Sequence, residues 1–131
     1  MSPGGFEGRD RIALTGIRAF GYHGVLPIER QTGQTFSADV VLHADIRRAG
    51  RTDDLAHTVD YGAVAECIVT AIEGEPVNLI EKLAQRIADD VFTVTHSKEV
   101  HVSVVEVTVH KPGAPIDADF VDVAVSITRV Q

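Results

Sequence analysis

Alternation of apolar and polar residues predicts two β-strands in the first third of the chain. In residues 36–46 every even-numbered side chain is apolar, whereas Ser37 and Asp39 are among the odd-numbered ones. This period of two is typical of a strand with one buried face. Residues 11–22 are also strand-like, but their apolar phase shifts around Gly16, which indicates a β-bulge.

The segment between these strands, residues 21–34, is longer than a hairpin turn requires. It contains three glycines and Pro27, residues that interrupt regular structure. We expect an irregular loop here. Long loops of this kind often carry functional residues.

The middle of the chain changes to a helical period. A first helix is predicted after Tyr61 and ends at Gly74; its apolar positions are Val64, Ile68, Val69 and Ile72. A second helix has a longer apolar stripe, formed by Leu79, Ile80, Leu83, Ile87, Val91 and Phe92. Asn78 is its predicted N-cap, and Glu81 stands three residues later in the capping-box position.

The period returns to two after His96. Alternate valines run from 100 to 104 on one phase and from 105 to 109 on the other, which indicates a second bulge. The segment 111–119 contains Pro112, Gly113 and Pro115 and is predicted to be a loop. A last strand follows, with its inward side chains at Val121, Val123, Val125 and Ile127.

The predicted element order is ββααββ, an α+β fold with a four-stranded antiparallel sheet and two helices on one face. We expect residues 10–131 to form a single domain and residues 1–9, which are polar and contain three glycines, to form a flexible tail. Such a sheet leaves one face and two edges uncovered. Closing several sheets into a ring would remove those edges.

Composition narrows the possible partners. The formal net charge is −7 and no run of basic residues exceeds Arg47-Arg48, so we expect no nucleic-acid partner. No stretch approaches the roughly 18 apolar residues of a membrane span. The N-terminus lacks the basic and apolar segments of a secretory signal, so a cytoplasmic location is expected. The single cysteine, Cys67, is interpreted as a small buried hydrophobic residue.

Neither the histidines nor the common catalytic motifs indicate a function by themselves. The chain has six histidines, but no pair has the spacing of a zinc site, and we expect no metal. His43, His96 and His101 are assigned to surface positions. No phosphate-binding glycine loop or nucleophilic serine motif is present, so no nucleotide cofactor is expected either.

Four polar residues remain as candidates for chemistry: Glu29, Tyr61, Glu81 and Lys111. Each also has a purely structural interpretation. Glu29 could be a solvated loop charge, and Tyr61 could be half-buried packing at a helix start. Glu81 could be the capping-box carboxylate, and Lys111 could protect a strand edge from aggregation.

Taken together, these residues and their neighbours resemble the dihydroneopterin aldolase family over residues 10–128. The matching stretches are FGYHGV at 20–25, Glu29, Gly33-Gln34, TDDL at 52–55, TVDY at 58–61, NLIE at 78–81, VHKP at 109–112 and API at 114–116. One departure is Asp117-Ala118, where many family members have a further proline and often a glycine.

The resemblance implies the tunnelling fold and its assembly. Four ββααββ subunits would close a sixteen-stranded barrel, and two such rings would stack into a homo-octamer with active sites between subunits. The expected partner is a small pterin substrate. The expected reaction is the metal-independent retro-aldol cleavage of 7,8-dihydroneopterin in folate biosynthesis.

The resemblance also assigns roles to residues. Glu81 would anchor the pterin by accepting two parallel hydrogen bonds, with backbone groups near Ile80 beside it. Val59 and Tyr61 of a neighbouring subunit would complete the ring pocket. Lys111 would transfer protons, Tyr61 would protonate the intermediate, and Glu29 would hold the side-chain hydroxyls and a water.

Two other functions stay open at this point. An epimerase would use the same carbon-carbon cleavage followed by re-addition at the 2′ carbon. A non-catalytic pterin-binding ring protein would need the anchor Glu81 but neither Lys111 nor Tyr61. Related cyclohydrolases and pterin synthases would need metal-binding histidines that this sequence does not arrange.

Overall fold

The computed structural model describes residues 10–131 and contains one antiparallel sheet within them. Its four strands are β1 (Arg11–Gly21), β2 (Gln34–Ala44), β3 (Val102–His110) and β4 (Ala124–Val130). They are hydrogen-bonded in the order β1-β2-β3-β4, so β1 and β4 are the two edges. The predicted sheet is confirmed. The predicted tail, residues 1–9, lies outside the described residues.

Two long helices cover one face of the sheet, as the helical period predicts. They are α3 (Tyr61–Glu73) and α4 (Ile80–Val94); α3 packs on β1, and α4 packs on β3 and β4. Two six-residue helices, α1 (Pro27–Thr32) and α2 (Arg47–Thr52), and a 3-10 turn (Leu55–His57) are additional. The short helices escaped prediction because six residues are too few to display a helical period. The expectation of an irregular loop over 21–34 is therefore wrong for the part that forms α1.

The hydrophobic core lies between the sheet and the two long helices. Phe36, Ala38, Val40 and Leu42 of β2 are fully buried, which confirms the predicted alternation. They face apolar helix residues that are also fully buried, among them Ile68, Ile72, Leu83 and Ile87. Each large side chain of this kind contributes roughly 1.5–3 kcal/mol to stability when removed from water. Sheet and helices therefore stabilise each other.

Both predicted bulges are confirmed. The register of β1 against β2 shifts between Leu14 and Ile17, and Gly16 has a φ of 73°, which glycine adopts without strain. On β3 the shift falls at Ser103, because His43 pairs with Val104 and Ala44 pairs with Val102.

The last strand begins later than predicted. Pairing with β3 starts at Ala124, and Val121 lies before the strand with 92% of its surface exposed. The expectation that Val121 faces inward is therefore wrong. Val123, Val125 and Ile127 are half-buried against the core, as predicted.

The start of α4 also differs from the prediction. Its N-cap is Leu79, which provides no side-chain hydrogen bond, so the capping box of Asn78 and Glu81 does not form. Asn78 instead accepts a hydrogen bond of 2.6 Å from the Arg30 guanidinium. A partner distant in sequence has displaced the local capping interaction. At α3, by contrast, the carboxylate of Asp60 caps the helix.

No helix within residues 10–131 is long and apolar enough to span a bilayer. The cytoplasmic location stays a prediction. Cys67 is half-buried, and burial together with the charge of Asp90 raises the pKa of its thiol to about 11. The thiol is therefore protonated at neutral pH, in line with its interpretation as an apolar residue.

His23 connects the end of β1 to the segment before α4. Its side chain is fully buried, and its Nδ1 accepts a hydrogen bond of 3.0 Å from the Val77 amide. Since Nδ1 accepts, Nε2 carries the proton and donates it to the Ile72 carbonyl at 2.7 Å. The ring is thus held in its neutral form by two backbone groups.

Burial is the main cause that lowers the pKa of His23 below its ordinary value of 6.5. The bond to the Ile72 carbonyl acts in the opposite direction, and the positive charges of Arg86, Arg30 and Lys111 lower the pKa further. The unfolded chain therefore takes up this proton more readily than the folded one. The contribution of His23 to stability is complete above about pH 6.5 and is lost as the pH falls through the folded pKa.

We expect His23→Asn to lower the free energy of unfolding at pH 7 by about 1–3 kcal/mol, because a buried backbone group loses its partner. The variant should also lose less stability than the parent between pH 7 and pH 5. Urea denaturation at both pH values measures this. The exposed His101, replaced by Asn, serves as control and should behave like the parent. Equal acid losses in parent and His23→Asn would contradict the prediction.

Candidate active site

A buried ion pair joins the first helix to the end of the third strand. The Lys111 ammonium lies 2.6 Å from Oε2 of Glu29, and the two side chains are only 12% and 5% exposed. The interpretation of Glu29 as a solvated loop charge is therefore wrong. Lys111 does not protect an exposed strand edge either, since its charged group is paired inside the protein.

The backbone places each partner. Lys111 directly follows β3, and its amide donates to the Val123 carbonyl at 2.7 Å. Its ammonium lies 6.0 Å from the centre of the Phe36 ring, at the margin of the core. Glu29 is in the first turn of α1. Gly24 leaves room for Glu29, because a Cβ at Gly24 would collide with the carboxylate.

The Glu29 carboxylate is held in its charged form. Burial raises its pKa, but the hydrogen bond from Lys111 lowers it, and so do those from the Leu26 amide and the Gln34 side chain. The last two bonds are each 3.3 Å long. The net effect is a pKa below the ordinary value. A proton donor and an acceptor thus meet in a partly dry site, an arrangement suited to proton transfer.

Gln34 belongs to this site, although sequence reasoning assigned it no role. Its amide nitrogen donates to Oε2 of Glu29, whereas its carbonyl oxygen is buried and has no hydrogen-bond partner within residues 10–131. That oxygen faces Gly113, where a Cβ would come within 2.7 Å of it. Gln34 lies in the stretch Gly33-Gln34, which matches the family, and this match could have indicated a role in the site. A single glutamine has many structural roles, however, so its residue type alone does not predict one.

Glu81 and Ile80 lie at the start of α4. Glu81 is exposed in the first helical turn, and Ile80 is buried with 8% of its surface accessible. The structure shows no direct contact between Glu81 and the Glu29–Lys111 pair.

An indirect link does join the pair to α4. The Gly24 amide donates to the Val77 carbonyl at 2.9 Å, and Arg30 of α1 bonds both the Gly24 carbonyl and Asn78. Helix α1, which carries Glu29, and the loop before it are thus hydrogen-bonded to the segment that leads to Glu81.

Tyr61 and Val59 are not brought to the ion pair. Tyr61 begins α3 with 67% of its surface exposed, so its interpretation as half-buried packing is wrong. Val59 is 5% exposed. Within the described part of the chain, no hydrogen bond joins Tyr61 to Glu29, Lys111 or Glu81. One chain therefore assembles only part of the predicted site.

The histidines of the described chain form no metal centre. No group of three or more potential metal ligands lies together within residues 10–131. His96 and His101 are exposed, as expected. His43 is not a plain surface residue: its side chain is 12% exposed and pairs with Glu106. His110 pairs with two carboxylates, those of Asp39 and Asp122.

Comparison with known families identifies the family of this chain. A family model described as FolB, dihydroneopterin aldolase, matches residues 12–128. The chain belongs to this family. The matched residues include Glu29, Lys111 and Glu81.

Relatives cover the chain almost completely. The dihydroneopterin aldolase of Streptomyces coelicolor is 55% identical over 120 residues, which are 92% of this chain and 97% of that one. The dihydroneopterin aldolase of Bacillus subtilis is 39% identical over the same shares of the two chains. The crystal structure of E. coli dihydroneopterin aldolase in complex with neopterin superimposes with a TM-score of 0.80 at 27% identity, covering 92% of this chain and 98% of that one.

The ion pair can be tested by a double-mutant cycle with Glu29→Gln, Lys111→Met and both together. Each single change leaves a buried charge without its partner, so each should cost roughly 3 kcal/mol of unfolding free energy. The double variant should lose less than the sum, with a coupling of about 1–3 kcal/mol in urea denaturation at pH 7. A coupling near zero would show that the two charges are screened by solvent.

Proposed function

We propose that this chain is a dihydroneopterin aldolase of folate biosynthesis, which cleaves 7,8-dihydroneopterin into 6-hydroxymethyl-7,8-dihydropterin and glycolaldehyde. The observation that carries the proposal is the buried Glu29–Lys111 pair in a chain that belongs to this family. The relatives named above are dihydroneopterin aldolases, and one of them is seen with neopterin bound.

The reaction needs three things. A base must take the proton of the 2′-hydroxyl, a group must accept the electrons of the broken C1′–C2′ bond, and an acid must protonate C1′ afterwards. The dihydropterin accepts the electrons through its own N5=C6 imine. The protein therefore has to supply proton transfer and positioning, and neither a metal nor a Schiff base is needed.

Lys111 and Glu29 are suited to the side-chain end of the substrate. We assign Lys111 to proton transfer, because its ammonium is nearly buried and is fixed by a carboxylate 2.6 Å away. Glu29 holds the substrate hydroxyls and a water, using its remaining acceptor positions. The buried carbonyl of Gln34 adds an unpaired acceptor beside them. Tyr61 of a neighbouring subunit protonates the intermediate.

Glu81 is suited to the ring end. Its exposed carboxylate can accept two parallel hydrogen bonds, from the pterin 2-amino group and from N3–H. Because Leu79 supplies no capping side chain, the first amides of α4 around Ile80 stay available to a ligand. Backbone groups of Val59 and the ring of Tyr61, both from the neighbouring subunit, complete the pterin pocket.

A ring of four subunits, stacked in pairs as a homo-octamer, is the assembly that we propose. In a single chain β1 and β4 are open edges, and pairing them between subunits would close a barrel. Apolar side chains near the site are also exposed in the single chain, among them Val25, Leu26, Ile28, Leu79 and Ile116. Burying them between subunits would bring Tyr61 to a site that lacks it.

The two alternative functions differ in what they require. A non-catalytic pterin-binding ring protein is disfavoured, because burying an ion pair costs several kcal/mol of desolvation per charge and ring binding has no use for it. Epimerisation at 2′ shares the cleavage step and would accompany the aldolase reaction at the same residues. Product analysis separates the two activities.

The test of the proposed function is incubation of the purified protein with 7,8-dihydroneopterin and chromatographic identification of the pterins formed. We expect 6-hydroxymethyl-7,8-dihydropterin as the main product, formed equally well after treatment with a metal chelator. Formation of the 2′ epimer alone would support the epimerase, and unchanged substrate would refute both activities.

Two variants should distinguish pterin binding from the proton-transfer step. We expect Lys111→Ala to lose most of its kcat and keep much of its pterin affinity, because the loss falls on proton transfer. Glu81→Ala should lose affinity by roughly 100-fold or more, since a bidentate charge-assisted pair contributes on the order of 3 kcal/mol. Steady-state kinetics and neopterin titration measure both. Normal turnover by Lys111→Ala would remove that residue from the mechanism.

Borohydride treatment in the presence of substrate checks the chemistry at Lys111. The mass of the parent should not change, because no Schiff base forms. A reduced adduct on Lys111 would contradict the acid-base assignment.

A shared site predicts recovery of activity in mixed oligomers. Tyr61→Phe and Lys111→Ala chains, co-expressed with different tags, should form some interfaces with both residues intact. With random assembly roughly a quarter of the sites would be complete. Turnover well above that of either variant alone is the expected result, and no gain in verified mixed oligomers would count against a site shared between subunits.

A further inference from the structure

His110 lies between two carboxylates on the face of the sheet that carries no helix. Its Nε2 is 2.6 Å from Oδ2 of Asp39 on β2, and its Nδ1 is 2.6 Å from Oδ2 of Asp122, which precedes β4. Carboxylates only accept hydrogen bonds, so both ring nitrogens must carry a proton for both bonds to form. The bonds to Asp122 and Asp39 raise the pKa of His110, although partial burial opposes this. The ring is thus an imidazolium in an ionic cluster.

This cluster, Asp39–His110–Asp122, joins β2, β3 and the segment before β4. Asp39 also accepts a hydrogen bond of 2.7 Å from the Gly16 amide in the bulge of β1. Asp122 is followed by Val123, whose carbonyl accepts the Lys111 amide. Strands β1, β2 and β3 and the segment before β4 therefore all contribute to the position of the His110 side chain.

Lys111 is the residue that follows His110. Alternation along the strand places the two side chains on opposite faces: His110 meets Asp39 on the helix-free face, whereas Lys111 lies near Phe36 and Glu29 on the helix side. His110 therefore does not contact Glu29 and is not placed to touch the substrate side chain. What it can fix is the backbone from which Lys111 extends.

We propose that His110 is a positioning residue for Lys111: the ionic cluster anchors the end of β3, so that the lysine ammonium stays aligned with Glu29 and the substrate. The inference rests on the proposed function, in which Lys111 transfers protons. Lysine has a long flexible side chain, and only its ammonium end is fixed by Glu29. A displacement of about 1 Å at a proton-transfer group can reduce the rate by up to roughly 100-fold.

A second histidine provides a matched control. His43 is on the same face of the sheet and also pairs with a carboxylate, that of Glu106. It lies near the opposite end of β2, where its register partner is Val104 and not a residue beside Lys111. Loss of either histidine removes one histidine–carboxylate cluster from the same surface. Only His110 adjoins the lysine.

The experiment compares His110→Gln and His43→Gln in the full-length assembled protein. We expect His110→Gln to lower kcat about 10- to 100-fold while KM for 7,8-dihydroneopterin stays within about threefold, because Glu81 still holds the ring. His43→Gln should keep both constants within about threefold of the parent at a comparable loss of stability in urea. A kcat of His110→Gln within threefold of the parent would overturn the proposal. So would an equal loss of kcat in His43→Gln.

A readout that does not need turnover separates this inference from the proposed function. Acetic anhydride acetylates free lysine amines, and peptide mass spectrometry gives the rate at Lys111. The rate should rise about threefold or more in His110→Gln, because the lysine leaves its pairing with Glu29 more often. It should not rise in His43→Gln. If the parent does not cleave dihydroneopterin, the proposed function fails, but an unchanged rate in His110→Gln would still refute the positioning role.

Asp122→Asn tests the same inference if His110→Gln does not fold. The variant keeps the bond between His110 and Asp39 and removes one charge from the cluster. We expect a smaller loss of kcat, about three- to tenfold, again with KM retained. Parent-like kcat and parent-like acetylation of Lys111 in this variant would overturn the proposal.

Discussion

The candidate active site depends on keeping two opposite charges, Glu29 and Lys111, together at the margin of the core. Moving such charges out of water costs several kcal/mol each, and the cost is offset only by good geometry and additional hydrogen bonds. Here the Leu26 amide and Gln34 supply the additional bonds. Gly24 has no side chain, which leaves room for the Glu29 carboxylate. Strand β3 ends just before Lys111 and so fixes where the lysine begins.

The helix that carries Glu29 could not provide this geometry alone. α1 has six residues, far fewer than the roughly 12–15 that an isolated helix needs to be even marginally stable in water. It is held by contacts at both sides. Arg30 bonds the loop before α1 and the segment before α4, while Glu29 bonds Lys111. The candidate residue Glu29 therefore belongs to an element whose structure is set by tertiary contacts.

Sequence periodicity predicted most of the fold because its signals are local and repeated. The alternation in β2 and the stripe of α4 each extend over many residues, and the core depends on both. Predictions for individual residues were less accurate. Asn78 resembles a helix cap, but its side chain is hydrogen-bonded to Arg30 of α1, and Glu29 resembles a solvated residue because its partner is far away in sequence. Predictions made from neighbouring residues in the sequence take no account of partners that are distant in sequence.

The roles of the candidate residues came from family resemblance, since the spacing of these residues carries no chemical signature. The structure adds the contact between Glu29 and Lys111 and the proximity of Gln34. It does not join Tyr61 to them, and a single chain could not do so if that residue serves a neighbour's site. The ionic cluster around His110 could not be read from sequence either, because its three members lie on separate strands or loops that meet only in the sheet.

The bonds around Val77 have a consequence for motion in the native state. The amide and carbonyl of Val77 are bonded to His23 and Gly24, and Asn78 is bonded to Arg30. Detaching the loop before α1 would break these bonds together, so the loop and the start of α4 form one cooperative unit of local unfolding. The start of α4, which would hold the pterin ring, and the loop that leads to Glu29 would then open in the same event, so that the proposed ring anchor and the Glu29–Lys111 pair would be displaced together.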